Sequence, residues 1–263
     1  MSVVYYNGNE YRSRTPLNEF EGLALASVAS ATILSPLVYA GKPFAKQLVE
    51  EETNNITYKN FLKKALKLSE LDDVVKIIPA QFTGRADDYA LGKNACYMPH
   101  SNEILINTDK ISAAGFHEIG HALNNLKSKF GVKYLAKMRA PGYAIAGLME
   151  YFAIFSRTKP KGAPRGISDV IEDNCGKIAF AAMLPVVIEE AIASHRGIKL
   201  AQKSGVPEAL VKNLKKLYSK ALMTYAGRAV LGGLAVFASR KIMDYYTRPK
   251  LIETSQRSVN TLG

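Results

Sequence analysis

Two histidines stand four residues apart in the stretch Gly115-Phe116-His117-Glu118-Ile119-Gly120-His121-Ala122, with a glutamate directly after the first. On a helix, residues i and i+4 share a face, so both imidazoles can aim at one point. Neutral imidazole nitrogen is a good zinc ligand, and a catalytic zinc keeps one position open for water. Glu118 stands where it can take a proton from that water as it attacks a carbonyl. Zinc lowers the water's pKa from about 15.7 to roughly 7, which makes hydroxide available near neutral pH. The chain has four histidines, and two of them fall in this frame. The runs on either side, Ile111 to Phe116 and Ala122-Leu123, are small and mostly apolar, which predicts a buried site.

Two histidines and a water leave one protein ligand to find. The candidates are Glu189, Glu190, His195 and His100. The acidic pair follows an apolar segment that could pack on the metal helix. Glu190, Ser194 and Gly197 fall at i, i+4 and i+7, one helical face, whereas Glu189 points about 100° away. That face favours Glu190 as the ligand, with Ser194 orienting an imidazole nitrogen and Gly197 allowing close helix approach. A further donor should steady the oxyanion of a hydrolytic reaction, and His195, Tyr225 and Arg228 are the candidates.

These residues need elements to hold them. The 263 residues are 48% hydrophobic, ample for a core, and could form one large domain or two small ones. A net charge of +12 favours anionic partners, either nucleic acid or an anionic membrane face. The lysines are spread over several segments with no recognisable reading motif, so no nucleic-acid partner is expected. Cys96 and Cys175 make no disulfide framework and no Cys-x-x-Cys knuckle; free thiols are expected. The first twenty residues are polar and carry no cleavable-signal pattern.

Leu23 to Ala40 contains no charge, enough for a marginal transmembrane helix, and Pro36 is tolerated in such a setting. Thr57 to Leu71 alternates apolar residues with lysines at helical spacing. Strands are predicted at Asp73–Phe82, Asn94–Met98 and Glu103–Asn107, with a turn at Pro99–Asn102. They form a small sheet before the metal helix (Ala114–Lys129), and its edge strand could take an extended peptide by strand addition. Three more apolar segments follow: Pro141–Ser156, Gly176–Ile188, and Ala221–Ser239 after a basic amphipathic helix at Pro207–Lys220. Glu150, Lys177 and Arg228 lie inside them. An ionisable group in a span is costly unless it faces a bundle interior. Basic residues are dense on both sides of these segments, so the positive-inside rule does not orient them.

Asn94-Ala-Cys-Tyr-Met-Pro, then a strand, then Phe116-His-Glu-Ile-Gly-His-Ala-Leu, then Glu190-x-x-Ala193-Ser194-x-x-Gly197 resembles the membrane-associated gluzincin metallopeptidases. HtpX-type membrane proteases share the Asn-Ala start of the edge strand, but Ser194 replaces their aspartate. The YugP-type neutral zinc metallopeptidases are more similar, through Leu184-Pro185-Val186 running into Glu-x-x-Ala-Ser and through Ala221-Leu-Met-Thr224-Tyr225-Ala226. The resemblance covers roughly residues 90–240, and Glu189 departs from it, since that pattern has Val before the glutamate. It implies a mainly α fold with a small β-sheet, a zincin-like core and about four apolar transmembrane helices. It also implies an integral protein of the plasma (inner) membrane that uses Zn2+ to hydrolyse peptide bonds in peptide, protein or membrane-protein substrates.

The expected division is an arm and first apolar helix over 1–41, a peptidase domain over 42–245 and a polar tail over 246–263. The expected ligands are His117, His121 and Glu190, with Glu118 as base and with Ser194, His195 and Tyr225 as orienting or oxyanion groups. The rival expectation is a catalytically silent membrane scaffold that keeps the fold; retention of Glu118 counts against it.

Overall fold

The computed structural model describes residues 3–6, 9–12, 19–35, 58–79, 95–106, 114–156, 158–160 and 162–251. Pro36 and the end of the first apolar segment, residues 80–82 of the first expected strand, Asn94, Asn107, and Thr108 and Ser112, near which the metal helix is expected to start, lie outside them.

Among the described residues the chain is mainly helical, with seven helices and two small sheets. In chain order the helices are α1 (19–35), α2 (Tyr58–Leu68), α3 (Ala114–Leu126), α4 (Phe130–Lys137), α5 (Arg139–Phe155), α6 (Ile167–Ser204) and α7 (Glu208–Thr247). The strands are β1 (Val3–Tyr6), β2 (Asn9–Arg12), β3 (Lys76–Pro79), β4 (Cys96–Met98), β5 (Glu103–Ile106) and β6 (Lys250–Leu251).

α2 follows its sequence pattern. Leu62, Ala65 and Leu66 are buried while Lys63, Lys64 and Lys67 are exposed. It ends where Glu70 turns left-handed (φ 51) and Leu71 N–H reaches back to Leu66 O at 3.0 Å, which satisfies a terminal carbonyl. In the second sheet β5 is central, parallel to β3 and antiparallel to β4. Ile104, Leu105 and Ile106 are all buried, the continuous apolar run of a strand covered on both faces. Among the described residues β3 and β4 are the two edge strands of this sheet. The other sheet ties chain ends together: β1 and β2 form an antiparallel pair, and β2 pairs with β6. The expected amino-terminal arm and carboxyl-terminal tail therefore meet.

Two expected segments are one element. The basic helix expected at Pro207–Lys220 and the apolar segment at Ala221–Ser239 form the single helix α7, 40 residues long. Likewise the third apolar segment and the acidic pair belong to α6, 38 residues with Pro185 inside. At 1.5 Å per residue each rises close to 60 Å, roughly twice a bilayer core. α6 stops at Gly205, whose φ of 89° only glycine adopts cheaply, and Val206 N–H bonds Ala201 O at 3.1 Å.

These two long helices join two apolar clusters. One gathers Leu62, Leu66, Ile104, Phe116, Ile119, Leu200, Leu214 and Leu217 from α2, the sheet, α3 and the adjoining parts of α6 and α7. The other gathers Met149, Ala153, Cys175, Ala179 and Val236 from α5 and the other parts of α6 and α7. Around the second cluster most outward residues are apolar: Tyr143, Leu148, Tyr151 and Phe155 on α5, Phe180, Leu184 and Ile188 on α6, and Val230, Leu234 and Phe237 on α7; the exposed Lys177 on α6 stands among them. Among the described residues one helix, α7, is long and apolar enough to cross a membrane.

The ionisable groups in these segments have different settings. Glu150 turns inward, where its Oε1 accepts from Ser30 Oγ and Ser239 Oγ, both at 2.9 Å, and so ties α1, α5 and α7. Lys177 and Arg228 face outward. Lys177 Nζ reaches Asn174 Oδ1 at 3.2 Å, and the Arg228 guanidinium lies 5.8 Å from the Tyr225 ring centre.

Candidate metal centre

The site forms where the two clusters meet, between α3, α6, the head of α5 and the middle of α7. α3 buries Phe116, Ile119 and Ala122 completely, and that inward face carries His117 and His121 against α6. Two close approaches set the spacing. A Cβ on Gly120 would collide with the Ala193 carbonyl, with Ala193 Cα at 3.0 Å. A Cβ on Gly197 would meet Phe116 O at 2.6 Å. Only glycine fits where backbones come this near.

Three donor atoms converge. His117 Nε2 lies 2.9 Å from His121 Nε2 and 3.1 Å from Glu190 Oε2, and His121 Nε2 lies 3.6 Å from that oxygen. Tetrahedral ligands at about 2.0 Å from an ion stand about 3.3 Å apart, so this triangle has the size of one face of such a shell. Two overlapping groups here could hold a metal ion, His117 with Glu118 and His121, and His121 with Glu189 and Glu190.

The remaining atoms of the triangle are also engaged. Ser194 Oγ lies 3.2 Å from His117 Nδ1. His121 Nδ1 lies 2.7 Å from Glu189 Oε1. Asn124 Nδ2 donates to the same oxygen at 2.8 Å and to Glu189 O at 3.3 Å. A carboxylate or hydroxyl on the far ring nitrogen fixes tautomer and ring orientation. Arg139 Nη2 donates to Glu189 Oε2 at 3.2 Å and to Glu190 Oε1, and its guanidinium lies 5.9 Å from the Tyr225 ring centre.

Glu118 faces the cleft from inside the fold, 8% exposed. Tyr97 N–H on β4 donates to its Oε2 at 2.7 Å, which couples the glutamate to the edge strand. Burial raises its pKa above the ordinary carboxylate value, against the lowering pull of His121 and His117. For Glu190 burial works upward too, but hydrogen bonds and charge from His117 and His121 outweigh it and hold the carboxyl well below its usual range. Burial would lower the pKa of His121; contacts with Glu189 and Glu190 reverse this and push it up to about 10.

The cleft over this site has a volume of about 1140 Å³. Tyr97, Pro99 and His100 line one wall, Lys137, Arg139 and Tyr143 another, and Tyr218, Tyr225 and Arg228 a third. His117, His121, Glu118, Glu189, Glu190, Ser194 and Tyr225 are thus brought together. His100 is at the exposed rim, and His195 is exposed and outside the cleft wall.

Glu189 is already a ligand candidate in the sequence, whereas Asn124 and Arg139 are invisible to motif reading alone. Glu189, expected to point away, reaches the site because α3 and α5 flank α6 on adjacent faces, so a 100° arc still lies between partners. Asn124 is fully buried one turn after His121, a polar residue on the metal-facing stripe. Arg139 opens α5, where the helix dipole disfavours a cation; a basic residue at that end signals a specific acidic partner. No family model, no curated protein and no solved structure matches the chain.

Proposed function

We propose that this protein is a zinc-dependent, membrane-associated endopeptidase of the gluzincin kind that its motifs resemble. The observation that carries this reading is the triangle of His117 Nε2, His121 Nε2 and Glu190 Oε2, open to a cleft with the Glu118 carboxylate on its wall. Two neutral nitrogens and one carboxylate oxygen suit zinc, and three protein ligands leave a position for water. When bound, the metal would polarise the scissile carbonyl and acidify the attacking water.

The chain's own groups supply the rest. Glu118 takes the water proton and delivers it to the leaving amine, and the burial that raises its pKa favours its holding that proton. Glu189 and Ser194 hold the two imidazoles in register, while Arg139 clamps the outer oxygen of Glu190. Tyr225, which lines the cleft beside Arg139, is the candidate donor to the oxyanion. β4 is the edge strand beside the metal centre, so an extended substrate can add to it; its Tyr97 N–H already serves Glu118.

The bilayer reading rests on the outward apolar belt around the second cluster. On α7, Val230, Leu234 and Phe237 lie between Arg228 and Lys241, a rise of about 20 Å. Lys241 lies over the Phe237 ring at 5.4 Å; such stems snorkel and extend the belt towards the ~30 Å of a bilayer core. Glycines support the packing. Gly176 and Gly233 face each other across α6 and α7, each a would-be Cβ within 2.9 Å of the other's carbonyl oxygen, the small-residue contact favoured between helices in lipid.

The test is zinc content and proteolysis of detergent-purified protein. Wild type should hold one zinc per chain. Glu190→Gln should lose it, Glu189→Gln should weaken it about 10–100-fold, and Glu118→Gln should keep it while hydrolysis falls at least about 100-fold. No zinc in wild type after repletion would sink the proposal. Zinc without hydrolysis of membrane or soluble protein substrates would favour the silent scaffold.

A further inference from the structure

α4 is an eight-residue helix with no buried residue. A helix of this length is marginal by itself, and here its inward arc offers only the half-buried Val132, Leu135 and Ala136. Its outward arc is unlike an ordinary solvated face. Phe130 is 83% exposed and Tyr134 52%, and their rings stack at 6.1 Å between centres. Lys133 and Lys137 follow on the same side, and Lys129 precedes the helix; all three are exposed. Among the described residues no acid pairs with them, whereas nearby Lys127 is engaged by Glu70.

Position adds a second argument. Met138 N–H bonds Tyr134 O and Leu135 O, and the next residue opens α5. The outward face of α5 then continues with Tyr143, Leu148 and Tyr151. The aromatic arc of α4 therefore sits at the top of the apolar belt. Lys137 on α4 and Arg228 on α7 both line the cleft and are exposed, so cations stand on two of its walls. Aromatic residues beside lysines on a short helix at such a boundary match an interfacial helix, and anionic headgroups complement the unpaired lysines.

We propose that α4 docks on an anionic lipid surface, with Phe130 and Tyr134 in the headgroup–acyl boundary and Lys129, Lys133 and Lys137 on the headgroups. This rests on the membrane reading above and deepens it. It sets the mouth of the cleft at the bilayer surface, so the substrates within reach are extended segments leaving the lipid.

The chain contains no tryptophan, so one introduced residue reports its own surroundings. Phe130→Trp would be compared with Phe237→Trp in the belt of α7, each reconstituted in vesicles of phosphatidylcholine with or without phosphatidylglycerol. Lipids brominated on the acyl chain serve as quencher. The expected result is blue-shifted emission from position 130, quenched at least about twofold in anionic vesicles and less in neutral ones. Adding Lys133→Glu and Lys137→Glu should reduce that quenching. Water-like, unquenched emission at 130 beside quenching at 237 would overturn the proposal and leave the membrane reading intact. No quenching at either position would remove both. Blue-shifted emission at 130 without quenching would mean a protein contact and would also overturn it.

Discussion

His121 shows how much a single side chain is asked to do. Its Nε2 faces His117 and Glu190, while its Nδ1 is held by Glu189. In the metal-free protein the two carboxylates draw a proton onto this ring, up to a pKa of about 10 against an ordinary 6.5. The sign follows from linkage. Because the folded value is raised, this contribution to metal-free stability is complete below about pH 6.5 and is lost as pH climbs through about 10. A metal must displace that proton. Apparent metal affinity should therefore keep rising about tenfold per pH unit well above neutrality. Zinc titrations with a competing chelator from pH 6 to 9 would check this, and a plateau starting near 6.5 would show an unperturbed histidine. The spacing of His117, Glu118 and His121 is legible in the sequence because helical geometry is local. The roles of Glu189, Asn124 and Arg139 are not, because each depends on which helix packs beside it.

Between elements, the decisive contact is α3 against α6. Gly120 and Gly197 let the two backbones touch, and that contact sets how far the imidazoles stand from Glu190. Gly120→Ala would push a methyl into the Ala193 carbonyl. Overpacking of this kind costs about 1–3 kcal/mol, and here relief requires the helices to part. Expected outcomes are a lower melting temperature and at least about tenfold weaker zinc binding, since the ligand triangle opens. Gly147→Ala on α5 is the control: a Cβ there meets nothing within 4 Å. It should leave zinc binding unchanged and stabilise the helix by up to about 1 kcal/mol. Equal behaviour of the two variants would show that the α3–α6 approach does not govern the site. The glycines are visible in the chain, and Gly197 is suggestive by its place on the Glu190 face. Gly120 reads only as a neutral filler of the motif until its partner is known.

At the scale of the molecule, α6 and α7 pass through both apolar clusters and carry the site at their junction. One half has charged outer faces, as on α2; the other has an apolar belt. On the proposed membrane reading the chain should sediment with membranes and resist alkaline carbonate extraction, yet keep its cleft in water. Removal of zinc by a chelator should lower the melting temperature by an amount that grows with zinc affinity and concentration, without releasing the protein from the bilayer. Release at alkaline pH would point to peripheral attachment and contradict the spanning reading.

By itself the sequence determined the ligand spacing on α3, the alternation that makes α2 amphipathic, the apolar run of β5 and the apolar character of the later segments. Each of these is a periodic property of neighbouring residues, and backbone geometry converts it directly into a face. Tertiary structure decided that the segments from 207 onward form one helix, that both Glu189 and Glu190 reach the histidines, that Arg139 binds the acidic pair and that His195 stays outside. These outcomes depend on how far α3, α5 and α6 approach one another. That distance is set by side-chain volume at contacts far apart in the chain, such as Gly120 on Ala193, and periodicity along one segment carries no information about it.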